Sequence, residues 1–277
     1  MASKYLQQPS SDERFEACSH ERAALRNRTL GGNEEYEQVE AARRSLAAAV
    51  EDFVWPYRDA DAFVERACRS YARRCGVGRL LVLGSEIPVG QPLHRRVWQS
   101  SGIGYDEGRA VYVESNPTLL AKTRAWIEDS PNIEVVNEDP SLAPSNPQVA
   151  GLLTEATVVV LSGLLQFLDF QGAQALLDDL ACASRNAAPG QGKMYVVATH
   201  SLMPDSTKGA ELAAQWREAD SRGHAGFFRT AAEITALFQG YTLSAPVCPA
   251  RLWYPLGPEI GEVSPARDLV AGIVASA

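Results

Sequence analysis

Two acidic residues, Glu114 and Asp139, carry the chemistry most directly legible in this chain. Each closes or follows a short apolar run, at the point where an open α/β sheet binds ligands outside the carboxyl ends of its strands. A carboxylate ending one such run accepts hydrogen bonds from both hydroxyls of a ribose. A carboxylate after the next run receives the exocyclic amine of an adenine. As an ordered pair they suit an adenosine-containing ligand, although acids at strand ends also serve solubility. The run before them ends in Gly84-Ser85-Glu86-Ile87-Pro88-Val89-Gly90. A dinucleotide site would need a G-x-G-x-x-G turn there, so that backbone amides can approach a pyrophosphate, and this stretch lacks it.

Other side chains have chemistry with two readings each. His200 follows a later apolar run. It is a candidate general base, because imidazole titrates near neutrality, and equally a candidate strand cap. His94 reads as a packing or capping residue. Tyr36 is placed to close over a ligand or to make an aromatic core contact. Arg26 and Arg28 are candidates to hold an anionic substrate or to be solvated. Trp55-Pro56-Tyr57 reads as an anchor between helices and core, and Phe227-Phe228-Arg229 as a substrate mouth or an interface. Spacing supports no Ser-His-Asp arrangement.

The elements that must position these residues follow from periodicity. Residues 1–20 are polar and expected to be mobile. Glu35–Glu51 and Asp59–Cys75 show helical spacing, with Pro56 between them. Apolar runs then alternate with helical stretches. The runs are Arg79–Leu83, Ala110–Glu114, Ile133–Asn137, Thr157–Leu161 and Met194–Thr199. Such continuous, β-branched-rich runs are the pattern of buried parallel strands. Pro92–Gln99, Pro117–Ile127 and Ala173–Ser184 read as the helices between them, which predicts a doubly wound sheet. Helices near Ala210–Asp220 and Ala231–Phe238 and edge segments at Tyr241–Leu243 and Arg251–Tyr254 follow. The tail from Gly257 reads as a weak appended helix. The expected organisation is a mobile N-terminus (1–20), a helical lid (21–75), an α/β domain (76–254) and a tail (255–277).

The totals exclude several classes. The 277 residues carry a net charge of −8, which disfavours a general nucleic-acid or anionic-membrane surface. No apolar run approaches the roughly 20 residues of a membrane span, and the polar N-terminus has no signal-peptide core. Five scattered cysteines without C-x-x-C spacing and four histidines predict reduced thiols, a cytoplasmic location and no metal site.

The ordered matches resemble an S-adenosyl methyltransferase family of actinobacterial proteins, formerly a domain of unknown function. They are Leu30-Gly31-Gly32 with Tyr36, then Gly84, Pro88 and His94, then Val111-Tyr112-Val113-Glu114-Ser115-Asn116-Pro117. Val135-Val136 with Asp139, Leu164-Leu165 with Phe167, and Thr199-His200 complete the set. The resemblance runs from about Arg26 to Tyr254. It implies a Rossmann-like class I methyltransferase fold: a mostly parallel seven-stranded sheet under an N-terminal helical lid. It also implies S-adenosylmethionine as cofactor, with Gly84, Glu86, Glu114 and Asp139 as binding residues.

Against that family pattern, Val82 stands where an acid would end the first strand, and Glu86 replaces the second loop glycine. Asn33-Glu34-Glu35 replaces a lysine and acidic–amide stretch, Ala60-Asp61 an asparagine–arginine pair, and Gln166 a histidine. Glu86 would obstruct the methionine pocket, pair with the cofactor's ammonium, or point to solvent. These departures predict weak or absent cofactor binding. The expected function is an enzyme, or enzyme subunit, of small-molecule specialised metabolism that does not methylate. The alternatives are a working small-molecule methyltransferase and a non-catalytic partner protein in a biosynthetic complex. The catalytic candidates are His200 and Glu86. Tyr36, Gln166 and Arg28 are the candidates for substrate contact, in a cleft between lid and sheet.

Overall fold

In the computed structural model the described residues are 11–34, 36–84, 87, 89–127, 131–185, 193–220, 226–253 and 263–277, with 11–19 described in backbone only. The lid begins with α1 (Ser11–Thr29), α2 (Glu37–Ala49) and α3 (Val54–Cys75). Helix α1 thus starts inside the segment expected to be mobile, whose first ten residues lie outside the described residues. Pro56 does not separate two helices. It is the third residue of α3, in the first turn, where no intrahelical partner awaits its missing N–H.

Strand–helix alternation then proceeds as the apolar runs predict: β1 (Arg79–Leu83), α4 (Leu93–Ser101), β2 (Arg109–Val113), α5 (Pro117–Trp126), β3 (Ile133–Val136), α6 (Pro147–Leu153), β4 (Thr157–Ser162), α7 (Phe170–Arg185) and β5 (Met194–Ser201). All five strands fall within two residues of their expected bounds. The chain continues with α8 (Thr207–Ala219), α9 (Ala231–Leu237), β6 (Thr242–Leu243), β7 (Cys248–Pro249) and β8 (Val270–Ser276). The sheet order is β3-β2-β1-β4-β5-β8-β6, with the two-residue β7 pairing β8 outside that path. The path has the expected seven strands, and β7 adds an eighth. Pairs among β1–β5 are parallel, and β8 runs antiparallel to β5 and β6.

Two expectations for the C-terminal region are corrected. Arg251–Tyr254 is not an edge strand: Ala250–Leu252 forms a 3-10 turn, and Tyr254 lies outside the described residues. The last residues are not an appended weak helix. The segment Val270-Ala-Gly-Ile-Val-Ala-Ser enters the sheet beside β5, in register from Tyr195 opposite Ser276 to Ser201 opposite Val270. Its alanines and glycine weaken the strand pattern in sequence, but the packing needs Gly272 small. A Cβ on Gly272 would lie 2.7 Å from Cε2 of the fully buried Phe63 of α3. Gly272→Ala is therefore expected to cost about 1–3 kcal/mol by overpacking. Urea denaturation checks this, and an unchanged midpoint would contradict the close packing.

Alternation along the strands sorts the core into two faces. Leu81, Leu83, Val111, Val159 and Val196 meet α6, α7 and α9 on one face. Leu80, Val82, Tyr112, Val160 and Val197 meet α3 and α4 on the other. A third cluster joins the lid residues Leu25, Val39, Leu46 and Phe53 to Ile87, Leu119 and Trp216. Helix α8 therefore belongs to the lid, although it follows β5 in sequence. The lid is also tied down by ion pairs. Lys122 of α5 pairs with Glu34, and Arg267 makes two bonds to Asp59, at 2.7 and 2.8 Å. Among the described residues, no helix is long and apolar enough to cross a membrane, and no cluster of three or more His, Cys, Asp or Glu could hold a metal ion.

Candidate functional site

The carboxyl edge of the sheet carries, in spatial order, Asp139 after β3, Glu114 after β2, Gly84 after β1, Ser162 ending β4 and Thr199 near the end of β5. Gly84 turns the chain with φ of 73°, in the left-handed region where a side chain is strained. Its N–H donates to Val113 O at 3.1 Å. Ser85, Glu86 and Pro88 lie outside the described residues, and with them all three readings of Glu86. Ile87 between them is buried in the lid cluster.

Glu114 is 3% exposed. Its Oε1 accepts from Asn116 N at 2.8 Å, and Asn116 in turn caps α5 by accepting from Thr118 N and Leu119 N. Asp139 is half-buried, and its Oδ1 accepts from Ser141 N and Oγ at 2.8 and 2.7 Å. Both carboxylates thus stand at the sheet edge, each oriented by its own loop.

Two clefts open on the α3 side of this edge. The first, over β4 and β5, spans about 620 Å³ including its open mouth. Its walls include Arg22 and Arg26 of α1, Tyr57 of α3, Trp216 of α8 and Phe228, with Ser162, Gln166, Thr199 and Ser201 below. The second, beside β1, spans about 660 Å³ including its open mouth and is lined by Val82, Gly84, Asp61 and Arg96 among others. Arg26 and Ser162 line both, so the clefts meet there. Asp61 bridges two cations across the second cleft: Arg26 NH2 at 2.6 Å and Arg96 NH1 at 3.1 Å. Burial raises its carboxyl pKa, but the two guanidiniums outweigh that and hold it below the ordinary aspartate value.

Of the residues expected from sequence, Gln166, Arg26, Tyr57 and Phe228 line the first cleft, and Gly84 and Arg26 the second. Gln166 is fixed by Ser201 N, which donates to its Oε1 at 3.0 Å. Glu114 and Asp139 line neither cleft, and the same is true of three residues proposed for catalysis or substrate contact. His200 is fully buried. Its Nδ1 lies 2.8 Å from Ser201 O, and its Nε2 lies 2.7 Å from Arg229 NH1. Arginine is always a donor, so Nε2 accepts and Nδ1–H donates to the carbonyl. Burial first, and the Arg229 charge with it, pull the imidazole down to about 4, against the opposing pull of the Ser201 carbonyl and Glu233. A neutral, enclosed imidazole with both nitrogens engaged is not placed as a general base. The cause is strand alternation: Thr199 and Ser201 face the cleft, so His200 between them faces the opposite side.

Tyr36 is 41% exposed, lies tilted against the His20 ring at 5.5 Å and accepts from Lys122 Nζ at 3.2 Å. Arg28 bonds Glu40 Oε1 at 2.7 Å within the lid. Both are lid residues held away from the clefts. His94 is buried with Nδ1 2.8 Å from Tyr112 Oη, as a packing role predicts.

Arg26 was among the sequence candidates for an anionic substrate, whereas Arg22, which also reaches the cleft, was not. Arg22 and Arg26 are four residues apart, so they share one face of a helix, but only once that segment is read as helix. Trp216 gives no such signal, because only the docking of α8 onto the lid brings it to the cleft. Among the described residues lining the first cleft there is no His, Asp, Glu, Cys or Lys. The cleft can bind and orient a ligand, but it offers no strong base.

Residues 10–277 match a family described as S-adenosyl methyltransferase. Among solved structures, a Thermobifida fusca protein with a provisional methyltransferase assignment superposes with a TM-score of 0.76 at 24% identity, covering 91% of this chain and 93% of that one. A DUF574 family protein from Streptomyces avermitilis gives 0.75 at 20% identity, covering 91% and 95%. At these identities the likeness is one of fold. No curated protein matches the chain in sequence.

Proposed function

The chain belongs to the S-adenosyl methyltransferase family, and from that premise we propose that it is a small-molecule methyltransferase with a weak grip on the amino-acid end of its donor. The observation that carries this reading is the meeting of two clefts at Arg26 and Ser162, on the boundary between β1 and the β4–β5 half of the edge. Donor and acceptor need only be brought together in line, which demands a two-part site more than it demands catalytic side chains.

The residue types at the edge match the nucleoside half of S-adenosylmethionine, although Glu114 and Asp139 line neither cleft. Glu114 is a buried carboxylate at the end of β2, Asp139 follows β3, and Gly84 keeps the edge free of a side chain. The amino-acid half fits poorly. Val82, apolar, stands on the wall of the second cleft, and the acid across from it, Asp61, is already held between Arg26 and Arg96. Engaging Asp61 with a ligand ammonium would mean weakening those pairs. When bound, S-adenosylmethionine supplies a methyl group on a sulfonium centre. The chain's own residues would then act by position: Glu114 holds a ribose, Ser162 and Arg26 separate the two ligands, and the lid keeps water away from their junction. The acceptor loses its proton without a strong base from the described wall, so it must be nucleophilic already. We place it among small specialised metabolites.

Calorimetric titration with S-adenosylmethionine and S-adenosylhomocysteine tests this. The expected dissociation constant is on the order of hundreds of micromolar, and Glu114→Gln should weaken it by about tenfold. A value of about one micromolar or tighter would remove the weak-grip reading. A second reading, a protein of this scaffold that no longer methylates, is favoured by Val82 and the occupied Asp61. It predicts no detectable binding of either compound and no change on altering Glu114.

A further inference from the structure

We infer that the first cleft takes a flat, uncharged aromatic molecule whose carbonyl oxygen accepts a hydrogen bond from the indole N–H of Trp216. This rests on reading that cleft as the methyl-acceptor site, and it names the class of molecule the site takes. Trp216 is 4% exposed and stands on the cleft wall. Its Nε1 is buried and has no hydrogen-bond partner among the described residues. An indole nitrogen only donates, so its partner must bring an accepting atom. A buried N–H left unpaired costs free energy that a ligand oxygen would recover.

The charges on the wall are already engaged. Arg26 is paired with Asp61 at 2.6 Å. Arg22 NH1 donates to Gly163 O at 3.2 Å, and its guanidinium lies 4.3 Å from the centre of the Phe167 ring. Polar groups below them also serve the protein. Thr199 Oγ1 accepts from Gly163 N at 2.9 Å, and Gln166 Oε1 accepts from Ser201 N at 3.0 Å. A charged ligand would shed its water here and compete with those contacts for a partner, which disfavours it against an uncharged one.

Much of the remaining wall is apolar and aromatic. The Tyr57 and Trp216 rings lie 5.8 Å apart at 39°, and Phe228, Leu269 and Val270 line the same cleft. Rigid aromatic walls favour a planar ring over a puckered one, because a plane makes closer contact with ring faces and has no internal freedom to lose. One donor and several ring faces define the ligand by hydrogen-bond polarity and by shape.

Four bicyclic probes separate these features in calorimetric titrations: coumarin, octahydrocoumarin, indole and coumarin-3-carboxylate. Coumarin has both the plane and the carbonyl. Octahydrocoumarin keeps the carbonyl without the plane, and indole the plane without the carbonyl. Coumarin is expected to bind about tenfold tighter than indole and about fivefold tighter than octahydrocoumarin. Coumarin-3-carboxylate should bind more weakly than coumarin. Trp216→Phe keeps an aromatic ring and removes the N–H, so it should bring coumarin and indole within about twofold of each other. In proton–nitrogen correlation spectra of the unaltered protein, one of the five tryptophan indole signals should move downfield with coumarin and not with indole. If Trp216→Phe fails to fold, the four titrations and the spectra decide. Equal binding of coumarin and indole, tighter binding of coumarin-3-carboxylate, a coumarin preference that survives Trp216→Phe, no downfield shift, or no binding of any probe would overturn the inference. If S-adenosylmethionine fails to bind while the coumarin preference holds, the methyltransferase reading falls and this inference stands. The reverse result sinks this inference alone.

Discussion

Arg229→Met is expected to destabilise the protein by about 3–5 kcal/mol, since two buried acceptors and one part-buried one lose their donor and each is worth about 1–3 kcal/mol before relaxation. Arg229 is 7% exposed. Its NH1 donates to Leu165 O at 3.0 Å and to His200 Nε2 at 2.7 Å, and its NH2 donates to Leu168 O at 2.7 Å. These bonds clamp the turn after β4 against the end of β5. Gln166 lies inside that turn and reaches the first cleft because the turn is held. The same substitution should therefore weaken binding in the first cleft as well as the fold. Arg229→Lys should recover little, because one ammonium cannot reproduce the fork that reaches three acceptors. Urea denaturation gives the number, and a loss below about 1 kcal/mol would show that the clamp is not what holds the turn.

Acidification from pH 7 to pH 4 is expected to remove about 3 kcal/mol of stability through His200 alone. In the folded protein burial, with Arg229 beside it, lowers this imidazole to about 4. The unfolded chain takes up that proton near the ordinary histidine value. Between these two values the unfolded state binds more protons than the folded one, so stability rises with pH across the window and is lost as pH falls through it. Above the window both states are neutral and the dependence disappears. His200→Gln keeps a donor and an acceptor on the side chain but cannot titrate. It should be less stable at pH 7 and should flatten the dependence between pH 4 and 6.5. Parallel curves for the two proteins would place the dependence elsewhere. Asp61 contributes in a lower window, because its carboxyl, depressed by Arg26 and Arg96 despite burial, loses its stabilising charge only as pH drops below the ordinary aspartate value.

The strands of the sheet were legible because parallel strands buried on both faces must be apolar throughout. Val158–Leu161 and Tyr195–Ala198 announce themselves without any partner. Strand β8 did not announce itself, because its alanines and glycine are weak strand formers, and the need for a glycine at 272 is set by Phe63, far away in the chain. His200 shows the same limit at a single residue. Its type suits proton transfer, but its place on the far side of an alternating strand, against Arg229, makes it a neutral support.

Sequence alone determined the class of fold, the positions of the five parallel strands along the chain and the presence of Glu114, Asp139 and Gly84 at strand ends. Each of these follows from local pattern: apolar runs, turn residues and the acid that ends a strand. Tertiary structure decided which side chains face the clefts, that Arg22 and Arg26 meet Tyr57 and Trp216 there, and that Asp61 is occupied by two arginines. Those facts depend on docking α1 and α8 over a sheet built from other parts of the chain. The energy of that docking lies in buried contacts between distant residues, which no local window of sequence contains.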